Sequence, residues 1–234
     1  IVTVHHRPTT EKTRVMAHDQ QVVRVDKEVT TPVERSDERI LLGSSESFLA
    51  DCGCVVISDY AKGVATTTLI RDLISMAREA GVPVAIDPKV LHFSTYRNAT
   101  VLTPNLLEAA AGSGIIIDSI DALLEAGRKI MEKLGCENLL ITRGDQGMTV
   151  FEGPDTVSHI PADSHRVYDV TGAGDTVIST LSLAIANGLS ILEGAFLANV
   201  AAGVVVGEVG TVPVSFQRLE ERAKELARFP ELDF

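Results

Sequence analysis

Residues Cys54 to Pro88 read CVVISDYAKGVATTTLIRDLISMAREAGVPVAIDP, and their rhythm changes twice. Cys54 to Ser58 is a short apolar run ending at Asp59, the length of a buried strand. Thr66 to Ala80 then repeats at helical spacing. Leu69, Leu73, Met76, Ala77 and Ala80 share one predicted stripe, and Gly81 is placed to end the helix. Val82 to Ile86 is apolar again and ends at Asp87-Pro88. Strand, helix and strand in this order specify a crossover between parallel strands.

The same alternation continues downstream. Val101-Leu102 leads into Thr103-Pro104-Asn105. A helix is predicted from about Ser119 to Leu134, with Ile120, Leu123, Leu124, Gly127, Ile130 and Leu134 facing inward. Asn138 to Ile141 reads as a strand ending at Thr142-Arg143-Gly144, and two short strands follow around Thr149 and Val157. The chain finishes with two apolar helices and a charged amphipathic one from Ser215 to about Arg228. Upstream, Lys12 to Glu28 alternates as a polar β-hairpin, with Thr13 and Val15 on one face and Val23 and Val25 beyond the turn. The fold class is therefore α/β: a mostly parallel central sheet with helices on both faces, plus a small hairpin. Ligands of such sheets gather beyond the carboxyl ends of the strands. Asp59, Asp87, Asn105 and Thr142 each follow a predicted strand, so they are expected along one edge.

Composition limits the partners. The 234 residues carry 32 acidic against 21 basic side chains, a formal net charge of -11. That surface repels nucleic acid and anionic lipid. Thr176 to Gly207 holds one charge, Glu193, but Asn187-Gly188-Leu189-Ser190 interrupts it, and Ser190 with Glu193 has the spacing of a helix start. Two buried helices are expected there, not a membrane span. Cys52, Cys54 and Cys136 show no zinc spacing and fit a reducing, cytoplasmic setting.

The run with chemical content is Asp169-Val170-Thr171-Gly172-Ala173-Gly174-Asp175, immediately before an apolar helix. Small residues there leave backbone amides open to an anion at the positive end of the helix dipole. Asp175 falls in the first turn, beside that anion, where a carboxylate can take the proton of an attacking hydroxyl. On the residues alone, an acidic side chain that merely complements the dipole reads equally well. A Walker A loop is absent, and Val177 stands where a G-x-G-x-x-G fingerprint needs its third glycine.

Tyr168 to Val177 resembles the C-terminal signature of the ribokinase (phosphofructokinase B type) carbohydrate kinase family. Other pieces occur in the family's order. Thr103-Pro104-Asn105-Leu106-Leu107-Glu108 resembles its N-x-x-E motif, Thr142 to Gly147 its nucleotide-side turn, and Asn199 with Ala201-Ala202-Gly203 its adenine-side helix. The resemblance implies a ribokinase-like fold, an ATP- and magnesium-dependent kinase, and the following roles. Asp175 is the base, and Gly172, Ala173 and Gly174 form the anion hole. Asn105, Leu106, Leu107, Glu108, Thr142, Arg143, Gly144, Gly147 and Asn199 lie against ATP. Asn105 and Glu108 serve magnesium, Glu108 through water. Ser58 to Gly63 and Asp87-Pro88-Lys89 narrow the likeness to kinases that phosphorylate the C1 hydroxyl of D-glycero-β-D-manno-heptose 7-phosphate. Asp59, Lys62, Lys89 and Arg14 are then candidates for the sugar phosphate, with a loop-holding Asp59–Lys62 ion pair as the alternative for those two.

The same resemblance divides the chain into a hairpin lid segment at 1–35, which in many relatives pairs two subunits as a homodimer, and a kinase core at 36–234. It also carries a departure. The family's N-terminal region holds a glycine pair and an acidic residue that grips sugar hydroxyls, yet no glycine precedes Gly43 here. Much of the sugar pocket and the first strands are expected to be absent, leaving an unpaired sheet edge. No H-x-G-H of a fused nucleotidyltransferase occurs.

Overall fold

The computed structural model describes residues 1–4, 6–17, 20–163, 169–208, 210 and 212–226. Strands β1 (Glu11–Ala17) and β2 (Gln20–Lys27) form an antiparallel hairpin in which Thr13 faces Val25 and Val15 faces Val23, with an irregularity after Val15. Every residue of β1 is exposed.

The main sheet has the order β3-β4-β5-β6-β7-β8. Strands β3 (Val55–Ser58), β4 (Val84–Asp87), β5 (Val101–Leu102) and β6 (Asn138–Thr142) run parallel. Strands β7 (Met148–Glu152) and β8 (Val157–Ile160) add antiparallel to that side. The apolar strand runs are divided between the two faces by pleat. Ile57, Val84, Ile86, Leu102, Leu139, Ile141 and Phe151 pack one way, with side chains of α2 (Thr67–Glu79), α3 (Leu106–Ser113) and α4 (Ile120–Leu134). Ala85, Val101, Leu140, Val150 and Ile160 point the other way, onto α5 (Ala173–Ala186) and α6 (Ile191–Val206). Those two apolar helices turn at Asn187-Gly188, and the predicted Ser190–Glu193 capping box starts the second.

Three details differ from the sequence reading. Helix α1 (Arg35–Leu49) was not anticipated. Its N-cap is Glu34, not a Ser, Thr, Asn or Asp, and its cap bond runs from Glu34 N–H to the Asp37 carboxylate at 3.3 Å. On α2 the buried stripe is Leu69, Ile70, Ile74 and Ala77, while Ala80 is exposed, because the helix meets the sheet one position around from the predicted face. Ile120 stands in the first turn of α4 and is 47% exposed. The final helix, α7, is described as Phe216–Leu226; its predicted end at Arg228 lies outside the described residues, as does Tyr168. Strand β3 is an edge of the sheet, and Val56 on it is 44% exposed.

Candidate active site

Four parallel strands end on one side of the sheet and deliver Asp59, Asp87, Asn105 and Thr142 there. A parallel bridge between Asn105 and Thr142, with Thr142 N–H donating to Pro104 at 3.0 Å, fixes the last two side by side. Helix α5 begins at the same edge. Gly172 is its N-cap, with φ +85, a left-handed backbone that glycine adopts without strain. Ala173, Gly174 and Asp175 form the first turn.

Asp175 faces outward and accepts a hydrogen bond from the Tyr60 hydroxyl. The amides behind it divide. Ala173 N–H is spent on Val170 at 3.2 Å, whereas among the described residues Gly174 N–H has no protein acceptor. A methyl group at Gly174 would meet nothing within 4 Å. Upstream, the Asp169 carboxylate accepts from Thr171 N–H at 2.9 Å, and the Thr171 side chain, then that backbone bond, hold its pKa below the ordinary value.

One cavity is lined by this turn, and the Tyr60–Asp175 bond links the turn to a second. The first, of about 460 Å³, is lined by Thr142, Gly144, Gly147, Val170, Ala173, Gly174 and Asn199, among others, and its lining is mostly apolar. Its size and character suit a nucleotide. Gly147 has φ +80, and a Cβ there would lie 2.0 Å from the Ile160 carbonyl, so the turn closes only with glycine. Asn199 is buried and donates to the Pro161 carbonyl at 2.8 Å, holding the wall of this cavity. Arg143 bonds Thr149 and Gln146. The other cavity, about 650 Å³, opens along β3 and is lined by Thr10, Lys12, Ser58, Asp59, Tyr60, Lys62 and the apolar face of α2.

Asn105 and Glu108 are a capping box. Asn105 Oδ1 accepts from Glu108 N–H at 2.9 Å and Glu108 Oε2 from Asn105 N–H at 3.0 Å. The other Glu108 oxygen pairs with Lys89 Nζ at 2.5 Å. Leu106 packs on the core and Leu107 is 82% exposed. Burial opposes the charge on Lys89, but the bond to Glu108 and the nearby carboxylates raise its pKa. Asp87 stands among them. Burial pushes it up to about 6, with help from Glu108, Asp175 and Asp59 and against the pull of Lys89.

Asp59 and Lys62 do not pair with each other. Asp59 is 1% exposed, and its carboxylate takes Ala61 N–H at 2.7 Å, the Tyr96 hydroxyl at 2.6 Å and His92 Nδ1 at 2.6 Å. Lys62 instead pairs with Glu28, at the base of the hairpin, at 2.5 Å. Sequence reasoning overlooked Tyr60, His92 and Tyr96. The signal available for the first was an aromatic directly after the strand-ending Asp59.

Residues 2–217 match the pfkB family carbohydrate kinase. Curated relatives include the "Bifunctional protein HldE" of Geobacter sulfurreducens, 45% identical over 209 residues, covering 89% of this chain and 43% of that protein. Its namesake from Granulibacter bethesdensis is 41% identical over 228 residues, covering 95% and 47%. The chain thus spans less than half the length of these relatives. Among solved structures, phosphofructokinase-2 from Escherichia coli in complex with substrates and products superposes with a TM-score of 0.77 at 19% identity, covering 94% of this chain and 71% of that one. Arabidopsis thaliana ribokinase complexed with ribose and ATP gives 0.71 at 20%, covering 93% and 70%. These likenesses carry the ribokinase-like fold. The chain belongs to the pfkB family of carbohydrate kinases.

Proposed function

We propose that this chain transfers the γ-phosphoryl group of ATP to the C1 hydroxyl of D-glycero-β-D-manno-heptose 7-phosphate, giving the 1,7-bisphosphate and ADP. The observation that carries the reading is Asp175 between two cavities: Gly174 lines one, and Tyr60, bonded to Asp175, lines the other. ATP lies in the first, its terminal phosphate over Gly172 to Gly174, and the sugar enters from the second. Asp175 accepts the C1 hydroxyl proton, the C1 oxygen bonds to the γ-phosphorus, and the bond from that phosphorus to the β-bridging oxygen breaks. The substrate follows from the motif resemblance and from the name shared by the curated relatives.

Asn105 and Glu108 would hold magnesium through water. Each Glu108 oxygen already accepts one hydrogen bond, and a carboxylate offers about four lone-pair sites. That leaves capacity for ordered water, which this ion gives up reluctantly. When bound, magnesium neutralises charge on the phosphates during transfer.

Of the four sugar candidates, Lys62 on the β3 cavity is placed best. Lys89 pairs with Glu108 on the phosphate side, and Asp59 acts by fixing its loop. The exposed apolar edge at Val56 favours a second reading, that the chain binds nucleotide without completing the sugar pocket. A coupled assay with heptose 7-phosphate, fructose 6-phosphate and ribose, run beside a separate ATP-binding measurement, separates the readings. Asp175→Asn is expected to lower turnover by about 10²–10⁴-fold, the scale of a positioned base. Near-normal turnover in that variant sinks the assigned role. We also infer a homodimer through the hairpin, on which Val15, Met16, Val22, Val23 and Val25 are all exposed. Among the described residues no helix is long and apolar enough to cross a membrane.

A further inference from the structure

The loop after β3 is held from both ends. On one side Asp59 spends its buried carboxylate on Ala61 N–H, the Tyr96 hydroxyl and His92. On the other, Gly63, at φ +80, is packed so closely that a Cβ would lie 2.0 Å from the Thr31 carbonyl, and its own carbonyl accepts Val33 N–H at 2.8 Å. Arg7 adds bonds to the Thr31 carbonyl at 2.7 Å, the Val29 carbonyl at 2.6 Å and the Lys62 carbonyl. Between the clamps Ala61 sits at φ +53, a conformation non-glycine residues adopt at a cost. The residue this scaffold presents is Tyr60, whose hydroxyl donates to Asp175.

We propose that Tyr60 is a positioning residue for Asp175, its hydroxyl holding the carboxylate between the two cavities until the acceptor hydroxyl takes its place. The proposal rests on the reading of Asp175 as the base. An outward carboxylate in a first helical turn has several rotamers, and one fixed donor selects among them. The donor must also remain protonated while the carboxylate is charged. Burial and the bond to Asp175 hold Tyr60 up at about 12, so its proton is retained throughout the neutral range. The charged groups facing this pair are Asp87 from β4, Asp59 at the loop start, and the Lys89–Glu108 pair beyond. The carboxylates on this side all favour the neutral phenol.

The chain has three tyrosines, Tyr60, Tyr96 and Tyr168, so labelling tyrosine ring carbons gives three signals, and Tyr60→Phe identifies one. Tyr60 is half exposed, so that variant folds. In Asp175→Asn the Tyr60 midpoint should fall by about one pH unit, taking the ionised fraction at pH 11 from about a tenth to about a half. Tyr96, bonded to Asp59, should not move. In the kinase assay Tyr60→Phe should lower kcat about tenfold with the ATP KM unchanged, as expected when geometry at the base is lost and nucleotide binding is not. A Tyr60 signal indifferent to Asp175→Asn overturns the proposal without any activity measurement. Wild-type kcat in Tyr60→Phe beside an inactive Asp175→Asn overturns it while leaving the kinase reading intact. Full turnover in Asp175→Asn removes the base role on which the proposal rests.

Discussion

Gly174→Ala should move stability and activity in opposite directions. Gly174 is the second residue of α5, has a helical backbone, and offers open space where a Cβ would be built, with no heavy atom within 4 Å. Replacing glycine by alanine inside a helix gains up to about 1 kcal/mol. Near a helix end the gain is smaller, about 0.5 kcal/mol. For a domain of this size that raises Tm by about 1–2 °C. The methyl group enters the space in which a phosphate oxygen must approach the Gly174 amide. If that amide is part of the anion hole, ATP turnover should fall by at least about tenfold, equivalent to about 1.4 kcal/mol of transition-state stabilisation. Thermal melts and single-concentration ATP turnover on the same preparations read both quantities. A variant with raised Tm and undiminished turnover refutes the anion hole, because no folding defect is available to confuse the result.

Two further outcomes are expected. Asp87, ordinarily near 3.8 and pushed up to about 6 when folded, is ionised at a cost that is absent below its unfolded pKa and complete above about 6. Its contribution to stability is therefore greatest in acid and declines as pH rises through that window. The gap corresponds to at most about 3 kcal/mol. Asp87→Asn should gain about 1–2 kcal/mol relative to wild type in urea melts at pH 8 compared with pH 4.5; equal differences at both values would remove the assigned cost of burying its charge. The inferred homodimer is tested by light scattering at micromolar concentration, where a monomer mass excludes a stable hairpin-mediated pair and a doubled mass that Val23→Lys halves supports it.

The alternation of strand and helix from Cys54 onward was legible because the parallel strands are short apolar runs and the helices between them carry an apolar stripe. The two periodicities therefore barely overlap. In the hairpin, the alternation of Thr13, Val15, Val23 and Val25 was legible even though every residue of β1 is exposed. Helix α1 was not, since Gly43 and four serines dilute its apolar face and Glu34 gives no recognisable start. The edge position of β3 followed from the family resemblance and not from periodicity, which says nothing of strand order. At the site, the helix-end residues were visible as a motif. The Tyr60–Asp175 contact spans 115 residues and joins a loop to a helix start, and nothing local in either segment encodes it.

The N-x-x-E segment shows why motif and physics have to be read together. Asn105 and Glu108 satisfy the capping-box pattern completely, and a structural account needs nothing more from them. Yet the box consumes only one lone pair on each side-chain oxygen it uses, and it fixes the Glu108 carboxylate against rotation. Lys89 then binds the outward oxygen, so the carboxylate is buried and held at one orientation. A flexible, exposed glutamate would lose entropy each time it organised water around a divalent ion, whereas this one has already lost it on folding. The cap and the proposed metal role are therefore one device: the bond that begins α3 also pre-orients the acid that the phosphates' counter-ion would use. Removing the cap by Asn105→Ala would damage both at once, and for that reason it cannot tell them apart. Lys89 is the better lever, because it touches Glu108 only from outside the box.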